Sequence, residues 1–333
     1  MDATMNAPRD AAMDATDESV DERELAERFE EHRPHLRAVA YRMLGSLSEA
    51  EDAVQEAWIR LSRTDTSEVQ NLGGWLTTVV GRVCLNMLRS RTARREEPLE
   101  VHIPDPIVSR VYSTDGTEGA DGGDPERAAL LTDSVGLAML VVLDTLAPAE
   151  RLAFVLHDLF AVPFDAIAPV VERTTAATRQ LASRARRRVQ GQAPAPAPER
   201  DLTLQRKVVD AFLAAARDGD FETLVSLLDP DVVLRADSGS AVPAGTPWAS
   251  KLVRGAATVA THAMAFRWTA GSWHLVLVNG SLGVVTAPGG KPMAIAAYTI
   301  SRGKIVAMDI LADPARLPGL GLADLIDQPE QGH

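Results

Sequence analysis

From Glu22 to about Arg95 apolar residues recur at three- and four-residue steps, the period of helices that bury one face. A first helix is predicted over Glu22 to Leu44 on Leu25, Phe29, Leu36, Val39, Ala40 and Met43, with Gly45 ending it. Ser48, with Glu51 three residues on, reads as a capping box opening a second helix through Ala53, Val54, Ala57, Trp58 and Leu61. Asn71 starts a third, through Trp75, Val79, Val83 and Leu88. The period then stops. Pro98, Pro104, Pro106 and the run Gly116 to Gly123 predict a linker over residues 96–124.

Helical spacing resumes over residues 125–190. One helix covers Pro125 to about Leu146, and Pro148-Ala149-Glu150 opens another that reaches Phe160. Pro163 breaks it. Phe164, Ile167, Ala168 and Val171 mark a short helix, and Thr174 or Thr175 caps an arginine-rich one. Two short helices around a tight turn, the second basic, are the pattern of a helix-turn-helix. Residues 191–200 form an alternating Ala/Pro spacer. Beyond it, helices over Leu202 to Ala216 and Phe221 to Leu228 give way to strand-like runs. These are Val232 to Arg235, Trp273 to Val278, Leu282 to Thr286, Met293 to Ile300 and Ile305 to Ile310. Helices followed by a largely antiparallel sheet predict an α+β domain over 201–327, with 328–333 as a tail.

A chain of 333 residues exceeds one typical domain. Its one cysteine, Cys84, excludes an intramolecular disulfide and a cysteine-based zinc cage, which fits a cytoplasmic protein. No metal or cofactor is expected. Residues 1–21 are polar and acidic without an apolar run, so they read as a disordered tail, neither signal peptide nor membrane anchor.

Charge changes the picture. With 34 Lys+Arg against 46 Asp+Glu the net charge is −12, yet the arginines gather in two helical segments. One carries Arg82, Arg89, Arg91, Arg94 and Arg95, and no acid occurs from Leu76 through Arg95. The other carries Arg173, Arg179, Arg184, Arg186, Arg187 and Arg188. An acidic chain that concentrates positive charge in two helices presents two contacts to one nucleic acid. The acidic linker is an alternative partner for the second helix when DNA is absent.

Glu49-Ala50-Glu51-Asp52-Ala53-Val54-Gln55-Glu56-Ala57-Trp58 and Gly74-Trp75-Leu76 through Asn86-Met87-Leu88-Arg89-Ser90 resemble region two of extracytoplasmic-function sigma factors of bacterial RNA polymerase. Leu146-Ala147-Pro148-Ala149-Glu150-Arg151 through Arg188 resembles their region four. Residues 201–327 look like a SnoaL-like domain of the NTF2 cone fold, which a SigJ-like subgroup carries fused at its C-terminus. That subgroup has a Trp-Leu-Pro-Glu-Pro motif, matched here by His102-Ile103-Pro104-Asp105-Pro106. It also has an Asn-Pro-Asp-Lys-Leu motif, matched by Asp313-Pro314-Ala315-Arg316-Leu317. Asp237-Ser238-Gly239-Ser240 loosely matches its Asp-Gly-Gly-Gly-Lys motif. The resemblance implies a multidomain chain: two all-α sigma domains, residues 22–95 and 125–190, then the α+β cone.

It also implies roles. Asp52, Gln55 and Trp58 share one helix face and would touch core RNA polymerase, although Trp58 alone reads as core. Arg82, Asn86, Arg89 and Arg91 would meet the minus-ten promoter element, with Trp75 read as core. Thr174, Thr175, Thr178, Arg179 and Arg184 would meet the minus-thirty-five element. Pro104, Asp105, Pro106, Asp237, Asp313, Pro314 and Arg316 would form regulatory contacts of the fused domain. In that domain His262, Trp268, Trp273 and His274 are candidate pocket residues, which leaves room for a small-molecule ligand. Asp237 with His262 is the only nameable acid/base pair. A lone histidine is more often structural, so no catalytic residue is assigned and the chain is not read as an enzyme. The rivals are a helix-turn-helix regulator acting without polymerase, and a SnoaL-type cyclase or isomerase with a helical targeting module.

Overall fold

The computed structural model describes residues 9–64, 69–93, 101–111, 136–192, 199–240, 242–243, 246 and 249–326. They fall into two compact units, residues 1–90 with 152–182 and residues 91–151 with 183–333.

The first unit opens with α1 (Arg9–Leu44), α2 (Leu47–Leu61) and α3 (Leu72–Ala93). Helix α1 begins well before Glu22, so the stretch expected to be a disordered tail is helical from Arg9 onward. Ala11, Ala12, Met13 and Ala15 favour a helix there, and no Gly or Pro follows Pro8 until Pro34. Leu36, Val39, Ala40 and Met43 of α1 are buried, as are Ala53, Val54, Ala57 and Leu61 of α2. The capping box expected at Ser48 does not form: Ser46 occupies the N-cap, without a side-chain cap bond. Glu51 turns instead to α1, accepting from Arg33 Nη1 at 2.5 Å with Arg37 Nε at 3.6 Å. A cation on a neighbouring helix wins over a local backbone N–H. Asn71 does cap α3, its Oδ1 accepting from Gly74 N at 2.9 Å.

Residues 152–182 complete this unit, whereas the helical residues 137–151 and 183–192 on either side of them fall in the second. Helix α4 (Leu137–Asp144) starts behind a non-helical Gly136 N-cap, so it is shorter than the helix expected over Pro125 to Leu146, of which residues 125–135 lie outside the described residues. Helix α5 (Pro148–Phe154) continues as a π-helical turn (Val155–Leu159), and α6 (Phe164–Val171) and α7 (Thr175–Gln192) follow. Residues 193–198 of the Ala/Pro spacer lie outside the described residues. Leu152, Leu156, Ile167 and Thr178 are fully buried or nearly so. Gly81 of α3 lets this block come close. A Cβ there would lie 3.1 Å from Leu156 Cδ1 and 3.2 Å from Leu152 Cδ1.

The second unit is built on a sheet of order β1-β4-β5-β6-β7-β2-β3. Its elements are α8 (Leu202–Asp218), α9 (Phe221–Leu227), β2 (Leu228–Asp237), β3 (Lys251–Arg254), α10 (Ala256–Ala265), β4 (Trp273–Val278), β5 (Ser281–Thr286), β6 (Ala294–Ser301) and β7 (Lys304–Leu311), with α11 (Ala323–Ile326) last. The pairings are antiparallel except β2 with β7, which is parallel. Helix α8 lies on the sheet through buried Val209 and Phe212, whose ring meets Tyr298 at 5.9 Å. Gln205 ties it down: its Oε1 accepts from Leu282 N at 2.7 Å and its Nε2 donates to Glu199 O at 2.7 Å.

The remaining strand, β1 (Val108–Arg110), comes from the segment expected to be linker. It pairs antiparallel with β4, Val108 opposite Val278. Asn279 fixes the docking, its Oδ1 accepting from Ile107 N at 3.1 Å while its own N–H donates to Ile107 O at 2.8 Å. Val101, Ile103, Ile107 and Val108 are buried, so this part of the linker belongs to the C-terminal domain's core.

At Gly283 the sheet admits no side chain. A Cβ would lie 2.5 Å from Val278 Cγ2 and 2.6 Å from the Ala296 carbonyl oxygen. Gly283→Ala is expected to destabilise this unit by about 1–3 kcal/mol, the usual cost of overpacking. Chemical denaturation followed by near-ultraviolet circular dichroism checks it.

Candidate nucleic-acid interface

Helix α3 buries Leu76, Val80, Cys84, Leu85 and Leu88. At steps of four and three residues on the opposite face, Arg82, Asn86 and Arg89 are all exposed. Arg82 Nη2 donates to Pro169 O at 3.3 Å, leaving other guanidinium donors. Arg91 is half-buried and has partners, so it departs from the stripe. Trp75, expected in the core, is only half-buried and lines a surface cleft, because helical spacing alone does not set its depth.

Asp52 and Gln55 of α2 are exposed and adjacent on one face, which continues to Ile59 at 36% exposure. Trp58 is half-buried, its ring tilted against Phe29 at 5.1 Å.

The helix-turn-helix has the expected form. Pro163 precedes α6 and Glu172, in the left-handed region at φ 57°, ends it. Thr174 Oγ1 then accepts from Ala177 N at 3.2 Å to cap α7. Glu172 holds that backbone conformation without being glycine, as a tight turn between two helices requires. Phe164 anchors the motif, stacked on His157 at 3.7 Å with the Arg179 guanidinium 5.7 Å from its ring centroid. Thr174 and Arg179 are exposed and Thr175 half-exposed. Thr178 is not available to a ligand: it is fully buried, its hydroxyl donating to Thr174 O at 3.0 Å. On α7 it points inward, whereas its neighbour Arg179 points out.

Arg184 is also committed elsewhere. Buried Glu150 of α5 draws Arg188 Nη1 to 2.8 Å and Arg184 Nε to 3.6 Å. Their side chains remain about half exposed, so each keeps donors facing solvent. Arg151, buried beside Glu150, pairs with Asp144 at 2.8 Å. Acids three or more turns away in sequence were the missing signal, since no helix-local spacing links Glu150 to Arg184 or Arg188.

The three motif segments expected to act as regulatory contacts meet at one guanidinium. Arg316 Nε donates to Asp105 Oδ1 at 2.8 Å, Nη1 to Asp237 Oδ2 at 3.0 Å and Nη2 to Ile103 O at 2.6 Å. Asp237, its side chain 1% exposed, also accepts from Ile103 N at 3.0 Å and Gly239 N at 3.1 Å. Asp313 folds its own turn, its Oδ1 accepting from Ala315 N at 2.9 Å. Gly239, at φ +69°, admits the Asp313 carboxylate, which a Cβ would meet at 2.4 Å. Pro104 and Pro106 are buried in the docked segment.

This arrangement separates Asp237 from the acid/base role considered for it. Its bonds go to Arg316, Ile103 and Gly239, with His102 Nδ1 at 3.6 Å, while the His262 ring bonds Thr258 O at 2.9 Å on its own helix. Inside the domain Asp309 is buried against Arg235 Nη1 at 3.0 Å, and burial raises its carboxyl above the ordinary value despite that partner. Burial likewise raises the Tyr298 phenol. Trp273 Nε1 donates to Thr269 Oγ1 at 3.0 Å. Among the described residues no group of three His, Cys, Asp or Glu is placed to hold a metal, and no helix is long and apolar enough to cross a membrane.

Comparison with known proteins follows this geometry. Residues 28–94 match the family Sigma-70 region 2. The chain is 40% identical over 313 residues to the ECF RNA polymerase sigma factor SigJ of Mycobacterium tuberculosis (strain ATCC 25618 / H37Rv), covering 90% of this chain and 96% of that protein. It is 34% identical over 294 residues to the probable ECF RNA polymerase sigma factor SigI of M. tuberculosis (strain CDC 1551 / Oshkosh), covering 87% and 93%. The crystal structure of M. tuberculosis SigJ superposes with a TM-score of 0.69 at 36% identity, covering 89% of this chain and 99% of that one. That match spans the helical regions and the sheet-containing C-terminal domain alike, as the sequence led one to expect. The chain belongs to the extracytoplasmic-function sigma factors of RNA polymerase, in the SigJ-like group with a fused SnoaL-like domain.

Proposed function

We propose that this sigma factor directs core RNA polymerase to promoters through two separate DNA contacts, and that its fused C-terminal domain controls when they are made. The exposed stripe Arg82, Asn86 and Arg89 on α3, opposite a largely apolar buried face, carries the reading. Arginines there supply sequence-independent phosphate contacts, and Asn86 offers an amide suited to an adenine edge of the minus-ten element. Thr174, Thr175 and Arg179 at the start of α7 take the minus-thirty-five element, as recognition helices do. Asp52 and Gln55 form the polymerase-facing edge. The tail acts by docking rather than catalysis, with Asp105, Asp237 and Arg316 as its latch.

Elements named minus-ten and minus-thirty-five lie about 25 base pairs apart, roughly 85 Å at the rise of B-form DNA. Within the first unit, α3 touches α5 directly at Gly81. A 22-residue helix such as α3 is only about 33 Å long. That packing therefore has to part before both elements are held.

Asp52→Ala is expected to weaken capture of core polymerase at least about tenfold while leaving the helix-turn-helix folded. Pull-down with purified core, together with run-off transcription on a promoter panel, measures it. Undiminished capture, or sequence-specific DNA binding with no polymerase dependence, would favour the regulator that acts alone.

A further inference from the structure

A cleft of about 1230 Å³ opens between α3 and the region-four segment of the first unit. From one side it is lined by His32, His35, Arg60, Arg63, Trp75 and Arg82. The other side is apolar, with Phe160, Val162, Pro163, Ala166 and Val170. Among the described residues no Asp or Glu lines it. In a chain of net charge −12 this is a marked local excess of positive charge.

These cations are not all neutralised by acids. Arg63 is exposed and has no side-chain partner among the described residues. Arg60 shares itself with Glu56 at 2.9 Å, and Arg82 gives one N–H to Pro169 O. Trp75 presents a half-buried indole between them. The first turn of α3, from Asn71 through Gly74, also opens into the cleft and adds the positive end of a 22-residue helix. Gly73 keeps this end open to α1, since a Cβ there would press on the His32 ring at 3.0 Å.

A planar aromatic platform, several guanidinium donors and an opposing apolar wall are complementary to a heterocycle that carries phosphates. The volume exceeds what a drug-sized ligand needs. We propose that this cleft binds a free nucleoside polyphosphate, its base against Trp75 and its phosphates on Arg63 and Arg82, and that the bound nucleotide holds the closed arrangement. The promoter strand is the less suited occupant. The apolar wall belongs to region four, so the complete cleft exists only while regions two and four are together, which is when promoter DNA is not held. A ligand that touches both walls favours the closed state by its differential affinity. By linkage it then weakens polymerase and promoter binding by the same factor by which they weaken it. The inference rests on the sigma-factor reading above.

Isothermal titration of the full chain with ATP tests it, with adenosine and pyrophosphate as half-ligands and a short single-stranded oligonucleotide as competitor. Saturable ATP binding below about 1 mM is expected, at least about tenfold tighter than either half-ligand. Arg63→Ala, on the surface, and Ala166→Glu, which puts an acid into the region-four wall, are each expected to weaken it at least about tenfold. Saturating ATP is expected to lower the affinity for core polymerase in a binding assay without transcription, and Ala166→Glu to abolish that effect. No saturable binding, ATP binding that ignores Ala166→Glu, or an oligonucleotide that outcompetes ATP equally well in that variant overturns the proposal. If ATP fails while core capture remains sensitive to Asp52→Ala, the ligand inference falls and the sigma-factor reading stands.

Discussion

Arg316→Ala is expected to release residues 101–111 from the C-terminal domain. The guanidinium bonds Asp105, Asp237 and the Ile103 carbonyl together. Without it, a carboxylate that is 1% exposed keeps only backbone donors, with His102 at 3.6 Å, beyond hydrogen-bond range. Removing one partner of a buried ion pair costs about 3–5 kcal/mol, because the other charge stays buried and uncompensated. Amide exchange at Ile103 and Ile107, whose N–H groups bond Asp237 and Asn279, is therefore expected to quicken by about two to three and a half orders of magnitude. Arg316→Lys keeps the charge without the planar fork and should fall between. Unchanged exchange at both amides would show that β1 docks by its apolar residues alone. If the latch governs the sigma factor, run-off transcription also shifts in the alanine variant, in a direction that reveals whether docking restrains or supports initiation.

Much of this architecture was legible because its determinants are local. Asp201 and Asp220 sit one residue before α8 and α9 and cap them, accepting from Thr203 N at 2.8 Å and Thr223 N at 3.0 Å. The apolar run from Trp273 to Val278 marks β4 to the residue, bounded by an Asn279-Gly280 turn with both residues at positive φ. The stripe Arg82, Asn86, Arg89 needed only the helical period. What stayed hidden depends on partners distant in sequence. Strand β1 has three residues among prolines, and its only claim to be a strand is β4. Strand β3, four residues long, was missed for the same reason. Thr174, Thr175 and Thr178 are chemically alike in the sequence, and only the packing of α7 turns Thr178 inward. Arg184 looks like a free cation until Glu150 of another helix is seen beside it. The latch lay between these extremes. Family motifs flagged all three segments, but nothing in the spacing of Asp105, Asp237 and Arg316 told that one guanidinium joins them.

Gly81→Leu is expected to raise transcription from the cognate promoter. The site is buried, and a Cβ alone would come within 3.1 Å of Leu156 and 3.2 Å of Leu152, both fully buried themselves. Three further carbons have no room, so the closed packing pays about 1–3 kcal/mol. The two leucines belong to region four, whereas the rest of the buried face of α3 belongs to region two. The strain therefore falls on the arrangement that has to part before both promoter elements are held, and largely spares region two itself. Such a difference shifts a two-state equilibrium by about five- to 150-fold toward the open form. The same opening frees Arg82 from Pro169 O and returns its full set of donors to the DNA-facing stripe. Run-off transcription at limiting sigma factor measures the gain, and circular dichroism confirms that the helices persist. A folded Gly81→Leu protein with unchanged or reduced transcription would mean that α3 and α5 do not need to separate, and the two-contact reading of this chain would have to be rebuilt on a different geometry.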